Sequence, residues 1–189
     1  HAAATLGERV LMITMNMGTI GAMSCNPAMG GVAKGQILRE IDALGGMSGR
    51  ISDRSAIQFR MLNRSKGPAM WSPRTQNDRH QFAAEWRATL EKQHNIHLWQ
   101  DMVTSLVLEN GRCTGVTTQL GLEIKANSII LTSGTFLQGR IHLGQQQFAG
   151  GRSGERAAEG ITAQLEQHGL TTGRMKTGTP PRVDGRSID

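Results

Sequence analysis

The chain has 189 residues, 38% of them hydrophobic and 4% aromatic, with no tyrosine: enough apolar material for one sizeable domain. A net charge of +6 and a pI near 10.1 favour an anionic partner such as nucleic acid or a phosphate-rich cofactor, although a merely basic surface gives the same sum. Two cysteines exclude a disulfide framework and point to a reducing, cytoplasmic compartment, and no apolar run approaches the roughly 20 residues that span a bilayer.

In chain order, HAAATLG reads as the last turns of an alanine-rich helix closed by Gly7, with no initiator methionine and no signal peptide. The chain is therefore expected to be an internal piece of something longer. ERVLMITMN follows with the character of a buried parallel strand, so helix, glycine and strand make the second half of a βαβ unit. Residues 15–35 are glycine-rich and irregular. From Lys34, KGQILREIDALGG sets Ile37, Ile41 and Leu44 on one face, and Gly45-Gly46 ends a helix of about three turns. Short helical pieces are expected over 47–62, then an ordered loop, NRSKGPAMWSPR, over 63–74. Phe82, Trp86 and Leu90 at i, i+4, i+8 predict a helix over about 75–93 whose stripe faces a core.

NIHLWQ reads as the next strand. Asn110-Gly111 between alternating runs is a type I′ hairpin signal, and a second turn at Leu120-Gly121 adds a third strand. The result is an antiparallel β-meander over about 102–126, followed by SIILTS, a continuous apolar run of the buried parallel type. A helix over about 154–168, with Ile161 and Leu165 inward and Gly169 as its cap, precedes a basic Pro-Gly-rich tail. The fold class is α/β: a Rossmann-like parallel sheet with an inserted three-stranded meander. The domain reading is 1–140 for this partial nucleotide-binding domain and 141–189 for the start of a region leading into a second domain.

A meander followed by SIILTSGTF is the pattern of flavoproteins with two dinucleotide-binding domains, whose ligands lie outside the carboxyl ends of the strands. Gly134 would let the backbone approach a pyrophosphate or flavin, and Thr132 or Thr135 would donate a hydrogen bond; a plain strand exit with a glycine turn is the alternative. The G-x-G-x-x-G that cradles the pyrophosphate is absent and would lie just before His1. The acidic residue expected after the second strand is missing too, and Asn16 stands there as a neutral substitute.

Cys25 precedes the helix that begins near Lys34, where a helix dipole and an ammonium favour a thiolate. A small buried packing thiol is the competing reading, and Cys113, in a hairpin strand, is read as packing. Arg64, Lys66 and Arg74 form one basic cluster and Arg174, Lys176 and Arg182 another. Both are either solvated charge or contacts to RNA phosphates. The six histidines show no metal-ligand spacing, so no metal is expected.

The blocks MSCNPAMGGVAKGQILREIDALGG, IQFRMLNRSKGPAMWSPRTQNDR, LTSGTFLQGRIHLG, FAGGRSGE and GRMKTGTPPRVDGRSID occur in this order. Together they resemble the N-terminal part of the tRNA uridine 5-carboxymethylaminomethyl modification enzymes, the MnmG (GidA) family, from His1 to Asp189. The resemblance implies an FAD-dependent, cytoplasmic, homodimeric enzyme with no membrane association. It would act with an MnmE-type GTPase on the wobble uridine of tRNA, adding an aminomethyl or carboxymethylaminomethyl group at C5. NADH and methylenetetrahydrofolate would be its co-substrates. It places Cys25 near the flavin as the catalytic candidate and assigns an FAD contact to Val103; Gly30 and Gly31 are further cofactor-binding candidates, beside Thr132, Gly134 and Thr135. Where some members carry a serine after the GGR motif, Ala158 stands here, so only a backbone contact is expected there. An FAD- or NAD(P)H-dependent oxidoreductase on a small molecule, and a non-enzymatic RNA-binding module, are the alternatives.

Overall fold

The computed structural model describes residues 1–23, 25–176 and 183–188. These form two compact units, His1–Leu131 and Thr132–Asp189.

In the first unit, α1 (Ala2–Thr5) ends at Gly7, whose φ of +95° supplies the left-handed cap the sequence predicts. β1 (Val10–Thr14) follows, then a 3₁₀ turn over Met17–Thr19 that Asn16 caps by accepting the Gly18 N–H at 2.8 Å. The short β2 (Ala28–Gly30) leads into α2 (Lys34–Ala43), which ends before Gly45 at a φ of +83°. Its Ile37–Ile41–Leu44 face exists, but all three side chains are exposed.

The next segment departs from expectation. Residues 47–62 hold one helix, α3 (Ser48–Arg54), and then a strand, β3 (Ala56–Leu62). In that strand Ile57, Phe59 and Met61 alternate with Gln58 and Arg60, a period of two rather than of a helix. The loop over 63–74 is two 3₁₀ turns, Arg64–Lys66 and Pro68–Met70, and gives way at Ser72 to β4 (Ser72–Asn77). β4 is the centre of an antiparallel sheet in the order β2-β4-β3. A proline normally disfavours a central strand. Pro73 is tolerated because β2 pairs only as far as Gly30 opposite Arg74, leaving Pro73 one step past its end.

The predicted helix over 75–93 is shorter, α4 (Arg79–Glu91), because 75–77 belong to β4 and Asp78 caps the helix through the His80 and Gln81 N–H groups, each at 2.9 Å. Its stripe faces inward as read. Leu90 packs with Ala4, Ile20 and Ile96, Phe82 packs with Met23 and Ile51, and Trp86 touches both clusters. β5 (Ile96–Gln100) pairs parallel with β1, from Val10 opposite Ile96 to Thr14 opposite Gln100. The meander follows as β6 (Val103–Glu109), β7 (Arg112–Thr118) and β8 (Glu123–Lys125). Asn110 and Gly111 take φ of +52° and +76°, as a type I′ turn requires.

SIILTS does not form a strand: no strand lies between β8 and β9, and Ile130 is 75% exposed. A strand exists only through its pairing, and among the described residues nothing pairs with this run.

The second unit opens with irregular backbone, then an unforeseen hairpin, β9 (Arg140–Leu143) with β10 (Gln146–Ala149), turning at Gly144. α5 (Ile161–Gln167) starts later than the expected 154, because 150–160 is occupied by turns and isolated bridges. Ile161 is buried and Gly169 closes the helix at a φ of +84°, both as read.

Candidate functional site

The segment carrying Cys25 is held from below by β4 and the start of α4. Asn77 donates its N–H to the Pro27 carbonyl at 2.7 Å, and Arg79 donates from Nη2 to the Cys25 carbonyl at 3.0 Å. Asn77 is itself fixed: Nδ2 donates to the Ser52 carbonyl at 2.7 Å and to Ser55 Oγ at 3.0 Å, in a polar cluster where all three residues are buried. Cys25 is half-buried on this support. The backbone then runs through Gly30, Gly31 and Ala33, at φ of +91°, +95° and +63°. Three left-handed residues in four make a shape that ordinary side chains resist.

The two glycines serve different needs. A Cβ on Gly30 would lie 2.1 Å from the Pro73 carbonyl oxygen, so that glycine is required by close packing of β2 on β4. At Gly31 a Cβ would meet only Arg74 Cδ, at 4.0 Å, so space is left beside its Cα, while its N–H donates to the Pro73 carbonyl at 2.9 Å and its carbonyl accepts the Gly35 N–H at 2.7 Å. Arg74 stands on β4 directly opposite Gly30. Arg64 and Lys66 sit on the exposed turn between β3 and β4, and the Trp71 indole N–H donates to the Arg64 carbonyl at 3.1 Å.

Val103 begins β6 just after the carboxyl end of the β1–β5 pair, where Asp101 N–H donates to the Thr14 carbonyl at 3.0 Å. Asp101 is 9% exposed; its Oδ1 accepts the Met102 N–H at 2.7 Å, and its Oδ2 finds no hydrogen bond of good geometry. The Thr118 hydroxyl, foremost, and then the Met102 N–H hold this carboxyl below its usual range against the opposing effect of burial. Asn16, read as the ribose-binding substitute, already spends its Oδ1 on Gly18 and keeps its amide N–H groups.

In the second unit Thr132 and Gly134 are exposed, and a Cβ on Gly134 would meet nothing within 4 Å, so its backbone is open. The Thr135 hydroxyl donates to the Gly151 carbonyl at 2.7 Å, closing the loop. A cavity of about 400 Å³ lies beside it, lined by Gln138, Arg140, Ala149, Glu159 and Arg174. Arg174 donates from Nη1 to the Gln138 carbonyl at 3.0 Å, and Lys176 is exposed. Arg140 and Glu159 were not singled out in the sequence, because no motif marks them. Arg182 lies outside the described residues.

The structure thus brings Cys25, Gly30, Gly31 and Arg74 together around β2 and β4, and sets Arg64 and Lys66 on the adjoining turn. Val103 belongs to the end of the parallel pair, and Thr132, Gly134, Thr135, Arg174 and Lys176 to the second unit. Ala158, where a backbone contact to the cofactor is expected, is buried and donates its N–H to the Phe136 carbonyl at 2.8 Å while its carbonyl accepts the Gln138 N–H at 2.9 Å. Among the described residues no three His, Cys, Asp or Glu side chains gather as a metal site would require, and no helix is long and apolar enough to cross a membrane.

Residues 1–189 match the family model described as glucose inhibited division protein A. The chain is 66% identical over 188 residues to the tRNA uridine 5-carboxymethylaminomethyl modification enzyme MnmG of Cytophaga hutchinsonii, covering all of this chain and 30% of that protein. Identity to the MnmG of Flavobacterium johnsoniae is 63%, with the same coverage. Among solved structures, Aquifex aeolicus GidA superposes with a TM-score of 0.93 at 44% identity, over 100% of this chain and 31% of that one. The GidA-related protein of Thermus thermophilus, at 22% identity and a TM-score of 0.60, shares the fold over 88% of this chain and 60% of its own. The chain therefore spans about 30% of the length of the curated relatives it matches. The α/β, Rossmann-like class read from the sequence holds.

Proposed function

On the premise that this chain belongs to the glucose inhibited division protein A (GidA) family, we propose that it forms part of an enzyme that modifies a uridine of tRNA. The observation that carries this reading is the 66% identity, end to end, to a protein named for that activity. The finer reading is an FAD-dependent reaction at C5 of the wobble uridine, run in the cytoplasm by a homodimer with an MnmE-type GTPase. NADH and methylenetetrahydrofolate are its proposed co-substrates.

The residues present fit a flavin. Val103 lies at the carboxyl end of a parallel strand pair, where dinucleotides bind in such sheets. The buried carboxyl of Asp101, whose Oδ1 accepts the Met102 N–H, lies beside it. Gly31 leaves open space where a side chain would stand, next to Gly30, and Thr132, Gly134 and Thr135 carry the same proposal in the second unit. Bound FAD would supply electron-pair transfer between the nicotinamide and the one-carbon unit. The chain's own task is positional: Arg79 and Asn77 fix the carbonyls of Cys25 and Pro27, which sets where the thiol is presented. Cys25 is proposed to hold or transfer a proton there, and Arg64, Lys66, Arg74, Arg174, Lys176 and Arg182 to meet RNA phosphates.

The test is the Cys25→Ser variant of the protein that carries this chain, with flavin read by absorbance and modified uridine by nucleoside mass spectrometry. Retained flavin with at least a tenfold loss of modification is expected. Normal modification would return Cys25 to a packing role. Flavin without salt-dependent tRNA binding would favour a small-molecule oxidoreductase instead.

A further inference from the structure

Arg60 and Arg74 stand directly opposite one another on β3 and β4, 14 residues apart in sequence and invisible as a pair without the register. Like charges in that position repel. A protein commonly relieves such a pair with a carboxylate, yet neither arginine has one among the described residues. Among the described residues the ion pairs are Arg54–Glu85, Arg87–Glu91, Arg152–Glu155 and Arg186–Asp184. Arg74 is half-buried, which strengthens the repulsion by withdrawing water from it, while Arg60 is exposed.

Two further observations enlarge the feature. Arg64 and Lys66, on the turn that leaves β3, also have no acidic partner among the described residues. Trp71 is 37% exposed, and its bond to the Arg64 carbonyl fixes the indole beside that turn. Four cations without counter-ions and one anchored aromatic ring are the elements of a surface that tracks a polynucleotide backbone and stacks a base.

We propose that Arg60 and Arg74 form a two-arginine fork for one backbone phosphate of an RNA strand, with Arg64 and Lys66 on the neighbouring phosphate and Trp71 as a stacking face. Guanidinium forks match phosphate oxygens two at a time, and the bound anion removes the repulsion between them. A dinucleotide pyrophosphate has the same chemistry, but the extra cations and the indole reach beyond one such group. The inference rests on the tRNA reading above and adds Arg60 and the geometry of the contact.

The experiment compares the wild-type protein with Arg60→Gln/Arg74→Gln and Arg60→Lys/Arg74→Lys, using a tRNA transcript, FAD and NADH as separate probes. The glutamine variant should bind tRNA at least tenfold more weakly at moderate salt. Its plot of log affinity against log salt should be shallower by about 0.7, the value for one phosphate no longer neutralised. The lysine variant should keep the slope and lose part of the affinity. Flavin content, NADH affinity and thermal midpoint should not fall, since removing the repulsion does not weaken the sheet. Unchanged tRNA affinity and slope in the glutamine variant would overturn the fork alone. Weakened FAD or NADH binding with tRNA binding intact would assign it to a dinucleotide, and a lowered thermal midpoint would make the arginines structural; either outcome overturns it. A wild-type protein without salt-dependent tRNA binding would remove the tRNA reading and the fork together.

Discussion

The two units are held together by different means. In His1–Leu131, large side chains from helices and strands meet in two buried clusters, around Leu90 and Ile96 and around Ile51 and Phe82. In Thr132–Asp189, the buried hydrophobic residues among those described are Ala157, Ala158 and Ile161. There the chain is fixed by backbone bonds, such as Gln138 N–H to the Ala158 carbonyl at 2.9 Å, and by glycines packed against their neighbours. A Cβ on Gly139 would lie 2.6 Å from the Gly150 carbonyl oxygen, and one on Gly151 would lie 2.1 Å from the Phe136 ring. Close-packed glycines occur in both units, Gly30 against Pro73 being one in the first. Only the first adds clusters of large buried side chains among the described residues. Emptying a core should therefore hurt the first unit most, and filling a glycine should be the sharper test of the second.

The largest effect is expected from emptying the first unit. Phe82→Ala should cost about 3–5 kcal/mol, the loss of a buried ring plus the cavity left among Met23, Ile51 and Trp86. Denaturant unfolding would measure it, and a loss below about 1 kcal/mol would show that the cluster collapses around the gap. Filling the second unit should do less. Gly151→Ala should cost about 1–3 kcal/mol, because the new methyl displaces the Phe136 ring. Hydrogen exchange should then quicken at Phe136, Gln138 and Ala158 while the amides of α4 keep their protection. Equal quickening in α4 would mean that the contrast between the units is false.

The same contrast explains what could be read from the chain. Phe82, Trp86 and Leu90 announce their helix because a buried stripe must recur with the helical period. Asn110-Gly111 announces its hairpin because few other pairs accept two positive φ values in succession. The Arg140–Leu143 and Gln146–Ala149 hairpin has a fainter mark: RIHL alternates over only four residues, QQFA does not alternate, and their backbone bonds are silent in sequence. SIILTS misled for the converse reason, since an apolar run shows what a strand would want to bury and not whether a partner strand is there. The site was legible in the same uneven way. Gly30 and Gly31 are visible as a pair, but only the structure separates the one whose missing Cβ makes room for the Pro73 carbonyl from the one whose missing Cβ faces open space. Arg60 passed unnoticed because its significance lies in Arg74, across a strand register that composition does not reveal.

The smallest effect tests whether local capping, rather than core filling, also matters in the first unit. The Asp78 carboxylate accepts the N–H groups of Gln81 and His80 at the start of α4, and the Gln81 bond foremost holds its pKa below the usual 3.8. A carboxyl whose folded value lies below its unfolded one contributes stability above the unfolded value and loses it as pH falls through the folded value. The contribution should therefore be intact at neutral pH and fade only below about pH 4. Asp78→Asn retains an acceptor at the cap and removes the titration. The thermal midpoint of that variant should match the wild type near neutrality and fall less steeply between about pH 4 and pH 2. Parallel curves for the two proteins over that range would mean that Asp78 keeps the same affinity for its proton folded and unfolded. The charge of Asp78 would then add nothing at the start of α4 beyond the acceptor that asparagine also supplies.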